Sequence, residues 1–126
     1  MALGEAPVAA TLSAVDIKRA KKFYPDVLGL KLISEDAQGI MFGAGKGTRL
    51  FLYQRGPTRV DHTVASFDVS NIEAHVKEMR AKGVKFEEYD VPEMGIKTIN
   101  GIAATGKTKS AWFKDTEGNI LSLDQT

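Results

Sequence analysis

The chain contains no cysteine among its 126 residues. Disulfides, thiolate metal sites and cysteine nucleophiles are therefore excluded. Histidine occurs only twice, at His62 and His75, so no site built from three imidazoles of one chain exists. Neither sign of charge dominates: Lys+Arg is 17 against Asp+Glu 16, a formal net charge of +1. That balance argues against nucleic acid or an anionic membrane as the principal partner. No apolar run reaches the length of a membrane-spanning helix. The opening residues, Met1 to Pro7, show neither a basic stretch nor an apolar one, so a secretory signal is not expected. A reducing, cytoplasmic home is the expectation. What is abundant is ordinary: 43% hydrophobic and 26% charged residues, enough for a folded core.

The periodicities give an order of elements. Val8–Ala14 reads as a strand. Asp16 reads as an N-cap, followed by Ile17, Ala20, Phe23, Tyr24 and Val27 at helical spacing. Pro25 is expected to end the helix and Gly29 to turn the chain. Strands are expected over Leu30–Ser34, Gly39–Phe42 and Arg49–Gln54, separated by turn formers. The second half repeats this order. His62–Asp68 alternates like a strand, Ser70-Asn71 caps a helix with Ile72, Val76 and Met79 on one stripe, and Gly83 stops it. Val84–Tyr89 reads as a strand, Val91–Lys107 as a long glycine-containing stretch, and Ser110–Lys114 and Ile120–Asp124 as a hairpin around Asp115–Asn119.

The halves also align residue by residue. Ala9–Ile17 lies over Val64–Ile72, and Gly29-Leu30-Lys31-Leu32 over Gly83-Val84-Lys85-Phe86. The expectation is an α+β fold of two βαβββ modules, at about residues 6–56 and 60–125, forming a curved mixed sheet around a cavity in a single domain.

The segment Ser13–Leu30, with Phe23-Tyr24 followed by Leu28-Gly29-Leu30, resembles the opening signature of the vicinal oxygen chelate superfamily. This superfamily holds glyoxalase I, bleomycin-resistance proteins, fosfomycin-resistance enzymes and extradiol dioxygenases. Trp112–Leu121, with Asp115 followed by Gly118-Asn119, resembles its closing hairpin. The resemblance implies four metal-ligand positions, which here hold Ala9, Val64, Phe51 and Ser122. Two methyl-bearing side chains, a phenyl ring and one hydroxyl are not the imidazole or carboxylate donors that Zn²⁺, Ni²⁺, Mn²⁺ or Fe²⁺ require. No metal and no other cofactor is therefore expected. His62, two residues from Val64, shares its strand face by parity, but one imidazole with no second donor makes a poor metal site. His75 beside the helical stripe reads as a surface or interface residue.

Gly101–Thr108 matches the phosphate-loop pattern G-x-x-x-x-G-K-[ST]. That loop works only between a strand and a helix, and the segment after Thr108 carries Trp112 and Phe113 into a hairpin. The pattern therefore reads as a Gly-Lys turn entering a strand. Ser13, Ser66 and Ser122 lie on strands without the strained elbow of a hydrolase nucleophile.

Parity assigns a common face. If Phe51 points inward, so do Arg49 and Tyr53. Ala9 brings Thr11 and Ser13, Val64 brings His62 and Ser66, and Ser122 brings Ile120 and Asp124, with Trp112 opposite Ser122. The expected ligand-binding residues are Trp112, Phe51 and Tyr53 for apolar contact, Thr11, His62 and Ser122 for orientation, and Arg49 for charge pairing. Val91–Lys107, with Gly95, Gly101 and Gly106 as hinges, is expected to fold Met94, Ile96, Ile99 or Ile102 over the cavity mouth. The resulting expectation is a metal-independent protein that sequesters or carries a small organic ligand, as a homodimer. The alternative is a glyoxalase-like lyase, isomerase or dioxygenase-related enzyme, with His62, Tyr53 or Asp124 as acid or base and no assigned catalytic residue.

Overall fold

In the computed structural model, which describes residues 3–126, Asp16 caps the first helix, its Oδ1 accepting the Arg19 amide at 3.1 Å. Helix α1 (Ile17–Asp26) buries Ala20 and Tyr24 and leaves its lysines in solvent. Pro25 does not stop the helix ahead of itself. It sits in the last turn, where its missing N–H costs one bond, and the Val27 amide still reaches Phe23 O at 2.9 Å. Gly29, at φ +75°, then reverses the chain.

The chain divides into two units, the first ending at Thr58 and the second starting at Arg59. In the first, strands β1 (Ala9–Ala14), β2 (Lys31–Glu35), β3 (Ile40–Gly43) and β4 (Arg49–Gln54) form one mixed sheet in the order β1-β4-β3-β2. β1 runs parallel to β4, and the other pairs are antiparallel. Alternation separates the faces. Leu12, Ala14, Ile40, Phe42, Leu50 and Leu52 are buried, and Tyr24 of α1 stacks on Phe42 with ring centroids 5.5 Å apart. Each large side chain so buried stabilises the unit by about 1.5–3 kcal/mol. The opposite face carries the residues discussed below.

The second unit repeats the plan with additions. β5 (Thr63–Asp68) leads to α2 (Ile72–Ala81), which buries Ile72, Val76 and Met79. Asn71 Oδ1 accepts the Ala74 amide, and Gln125, far along the chain, accepts the Ile72 amide through Oε1 at 2.8 Å. After α2 come β6 (Asp90–Val91), β7 (Ile96–Ile99), β8 (Ile102–Thr105), β9 (Thr108–Lys114) and β10 (Ile120–Gln125), in the sheet order β5-β10-β9-β8-β7-β6. β5 lies parallel to β10, as β1 lies parallel to β4.

Two sequence expectations are corrected here. Val84–Tyr89 is not a regular strand: it contributes one bridge, Phe86 to Phe113, then Glu87 N to Trp112 O at 2.8 Å and reciprocal bonds between Tyr89 and Thr98. The stretch Val91–Lys107 is not a loop that closes as a lid. Asn100-Gly101, at φ +54° and +83°, forms the two-residue turn joining β7 to β8, the pairing that suits a type I′ hairpin. Gly106-Lys107 joins β8 to β9 in a second two-residue turn, but here only Gly106 has positive φ (+62°), the pattern of a type II′ hairpin. The phosphate-loop pattern is thus two hairpin turns and the strand between them.

Candidate functional site

In the first unit the register aligns Thr11 with Phe51 and Met41, Ser13 with Tyr53, and Ala9 with Arg49 and Gly43. These residues share the sheet face turned away from Tyr24 and α1. The Phe51 and Tyr53 rings lie nearly parallel, with centroids 6.5 Å apart. The Phe51 ring tip packs against Gly39, where a Cβ would stand 2.7 Å from it. Arg49 is half-buried on this face and makes no ion pair among the described residues.

In the second unit Ser122 lies between Ser66 on β5 and Trp112 on β9. One step along, Asp124 lies between Asp68 and Ser110. The hydroxyls form a chain. Ser110 Oγ donates to Asp124 Oδ1 at 2.6 Å, Ser122 Oγ lies 2.9 Å from Asp124 Oδ2, and Ser122 Oγ lies 2.7 Å from Ser66 Oγ. Ser122 is only 2% exposed, whereas Ser66 is exposed. Trp112 is half-buried and meets the Tyr89 ring edge-on at 5.3 Å. Burial pushes the Tyr89 phenol above its ordinary value, and the Glu87 carboxylate adds to that push. Sequence reading placed neither Ser66 nor Ser110 in a network with Asp124. The signal was the alternation Ser110, Trp112 against Ser122, Asp124. Tyr89 carried no such signal, because it sits on irregular chain.

His62 departs from its expected place. It precedes β5, its side chain is 73% exposed, and Nδ1 lies 2.9 Å from Asp61 Oδ1. The imidazole beside it holds the Asp61 carboxyl below the usual carboxylate range. A bulge between Ile120 and Leu121 leaves Val64 outside the paired register, so simple alternation fails at this end of β5. Ile99 and Ile102 also depart from the expected role. They lie on the α2 side, lining with Val76, Lys77 and Arg80 an open groove of about 390 Å³ where Arg80 Nη2 donates to Asn100 O.

The metal-ligand positions implied by the family resemblance do not fit a metal. Ala9 and Val64 offer methyls, and Phe51 a ring packed on Gly39. The single hydroxyl, Ser122, is committed to Ser66 and Asp124. Among the described residues no group of three or more His, Asp or Glu side chains converges on a point.

A helix packed on a mixed sheet whose first and last strands run parallel, occurring twice in one chain, defines a tandem βαβββ protein of the glyoxalase-like fold. The chain belongs to the Glyoxalase/Bleomycin resistance protein/Dioxygenase superfamily, whose family model matches residues 7–123. Solved structures show the same fold at low identity. A superfamily member from Sphaerobacter thermophilus is 17% identical, with a TM-score of 0.77 over 99% of this chain and 100% of its own. The fosfomycin resistance protein FosX from Listeria monocytogenes is 13% identical, with a TM-score of 0.73 over 97% and 93%. A lactoylglutathione lyase from Agrobacterium tumefaciens is 18% identical, with a TM-score of 0.70 over 96% and 93%. No curated protein matches the chain at a significant level. Among the described residues no helix is long and apolar enough to cross a membrane.

Proposed function

We propose that this protein binds a small organic molecule without a metal, sequestering or carrying it. The observation that carries the reading is the row Ser66–Ser122–Trp112: a half-buried indole beside an ordered chain of hydroxyls ending on a carboxylate. An apolar surface with a few fixed polar groups is the usual composition of a metabolite or drug site. The first unit supports the reading with a second such face, where Phe51 and Tyr53 lie beside Thr11 and Arg49. The superfamily supports it through its bleomycin-resistance branch. The neighbours named as a lyase and as a fosfomycin resistance protein share the fold, and fold alone assigns no reaction. Within the second unit, His62 is exposed and engaged with Asp61 rather than set in the Ser66–Ser122–Trp112 row.

Trp112 is the only tryptophan, so its emission reports on this face alone. A screen of soluble aromatic metabolites and drugs is expected to yield ligands that shift that emission. Trp112→Ala is expected to weaken their binding, read by calorimetry, by about 1–3 kcal/mol. Ligands that leave the emission unchanged and bind Trp112→Ala equally well would refute the reading.

A further inference from the structure

We infer that the groove between α2 and the β7–β8 hairpin is a second ligand site, for an unbranched aliphatic carboxylate of intermediate chain length. It is separate from the Trp112 row. Ala103 and Ser110, paired across β8 and β9, share the Trp112 face, so Ile102 points to the other side, and Ile99, its partner on β7, points with it. The groove holds about 390 Å³. Its floor is aliphatic: Val76 is buried, Ile102 is half-buried, and Ile99 is 70% exposed, so the hairpin brings apolar surface to the groove without covering it. No aromatic ring lines it. Along α2 the lining runs from Glu73 to Arg80, about 10 Å of helix, which sets the length of chain the floor can take.

The charge on the lining decides the head group. Its one carboxylate, Glu73, is held by Lys109 Nζ, and the two cancel. Lys77 and Arg80, one turn apart on α2, make no ion pair among the described residues. The groove therefore presents two cations beside an aliphatic floor. Arg80 is also held in place. Its Nη2 donates to Asn100 O at 2.8 Å, and its guanidinium carbon lies 5.6 Å from the centre of the Phe86 ring. Gly101 makes that seat available, since a Cβ there would stand 2.9 Å from Arg80 Nη2 and from Phe86 Cβ. A guanidinium carries five N–H donors, and Asn100 takes one. The others remain in a planar fork that matches a carboxylate, and the fold has already met the cost of ordering the side chain.

Three probes test this in the full chain: octanoate, octyltrimethylammonium and butyrate. Binding is read from the methyl resonances of Ile99 and Ile102, with the Trp112 indole N–H as the reporter of the opposite face. Octanoate is expected to shift both methyls saturably and leave the indole in place. At low salt it is expected to bind about tenfold more tightly than octyltrimethylammonium, a preference that shrinks as salt is added. Butyrate, which leaves the floor uncovered, is expected to bind at least tenfold more weakly than octanoate. Arg80→Gln, which keeps a donor for Asn100, is expected to weaken octanoate about fivefold, and Lys77→Gln, on an exposed side chain, about twofold. Ammonium binding as tight as octanoate overturns the head-group assignment, and butyrate binding as tight as octanoate overturns the aliphatic floor. If Arg80→Gln lowers stability but leaves the octanoate affinity of the folded protein unchanged, Arg80 is a strut between α2 and the hairpin and the proposal falls. Flotation with phosphatidylcholine–phosphatidylglycerol vesicles, abolished by Arg80→Gln, would assign the groove to a membrane surface and overturn the free-acid proposal. Octanoate that moves the indole and not the methyls overturns the groove while the small-molecule reading of the Trp112 face stands.

Discussion

Asp115→Ala tests how the register that sets Trp112 opposite Ser122 is held. The turn between β9 and β10 is built on this one carboxylate. Its Oδ1 accepts the Glu117 and Asn119 amides at 2.8 Å each, and its Oδ2 accepts Asn119 Nδ2 at 2.8 Å. Asp115 and Asn119 are both buried. Truncation deletes a shared acceptor of three hydrogen bonds. The Glu117 amide lies in a half-buried part of the turn and recovers much of its loss from water. The two Asn119 donors sit where water is scarce, and each costs about 1–3 kcal/mol when it loses a carboxylate acceptor. The expected destabilisation is about 3 kcal/mol. Asp115→Asn keeps one oxygen for the two backbone amides but sets an amine against Asn119 Nδ2, so it falls between, at about 1–2 kcal/mol. Urea unfolding followed by Trp112 emission measures both, with a lower midpoint at unchanged slope as the signature. A loss below about 1 kcal/mol for Asp115→Ala would refute the reasoning, because ordinary surface substitutions cost no more.

Gly101→Ala is expected to lower stability by about 2–3 kcal/mol in the same assay, since φ is +83° and the new methyl would stand 2.9 Å from Arg80 Nη2 and from Phe86 Cβ. The Tyr89 phenol is raised by burial, so folding favours its neutral form. Its contribution is present below the ordinary tyrosine value of 10.0 and is lost as pH rises from there through the folded value. Difference titration at 295 nm against Tyr89→Phe should show a phenol ionising above 10, and ionisation at or below 10 would contradict the burial argument. We also expect a homodimer: β2 is an edge strand exposed along its whole length, with Leu32 and Ile33 open to solvent. Sedimentation at tens of micromolar should give a dimer mass, where a pure monomer would count against it.

Much of this architecture is legible in the sequence, because local chemistry and tertiary structure agree. Asp16 and Asn71 announce the helices, Arg49–Gln54 alternates cleanly, and the Asp115–Asn119 turn places Trp112 across from Ser122. Failures occur where long-range contacts decide. Val84–Tyr89 has strand composition, but its partners change from β9 to β7 midway, so no ladder extends. Glycines spaced along Val91–Lys107 suggest a mobile loop, whereas Asn100-Gly101 between Ile99 and Ile102 is itself a hairpin signal. Parity holds for β4, β9 and β10 and breaks at Val64, because a bulge adds one residue without changing composition. The hydroxyl chain on Asp124 depends on three strands meeting in one register, and only the pairing of two of them is written locally.

Native mass spectrometry of the purified chain, prepared without chelator and paired with elemental analysis, tests metal-independent binding most directly. The expected result is a non-covalent organic adduct, displaced by a tighter ligand, with metal content well below one atom per chain. One equivalent of Zn, Ni, Mn or Fe per chain, with ligand binding lost on its removal, would contradict it.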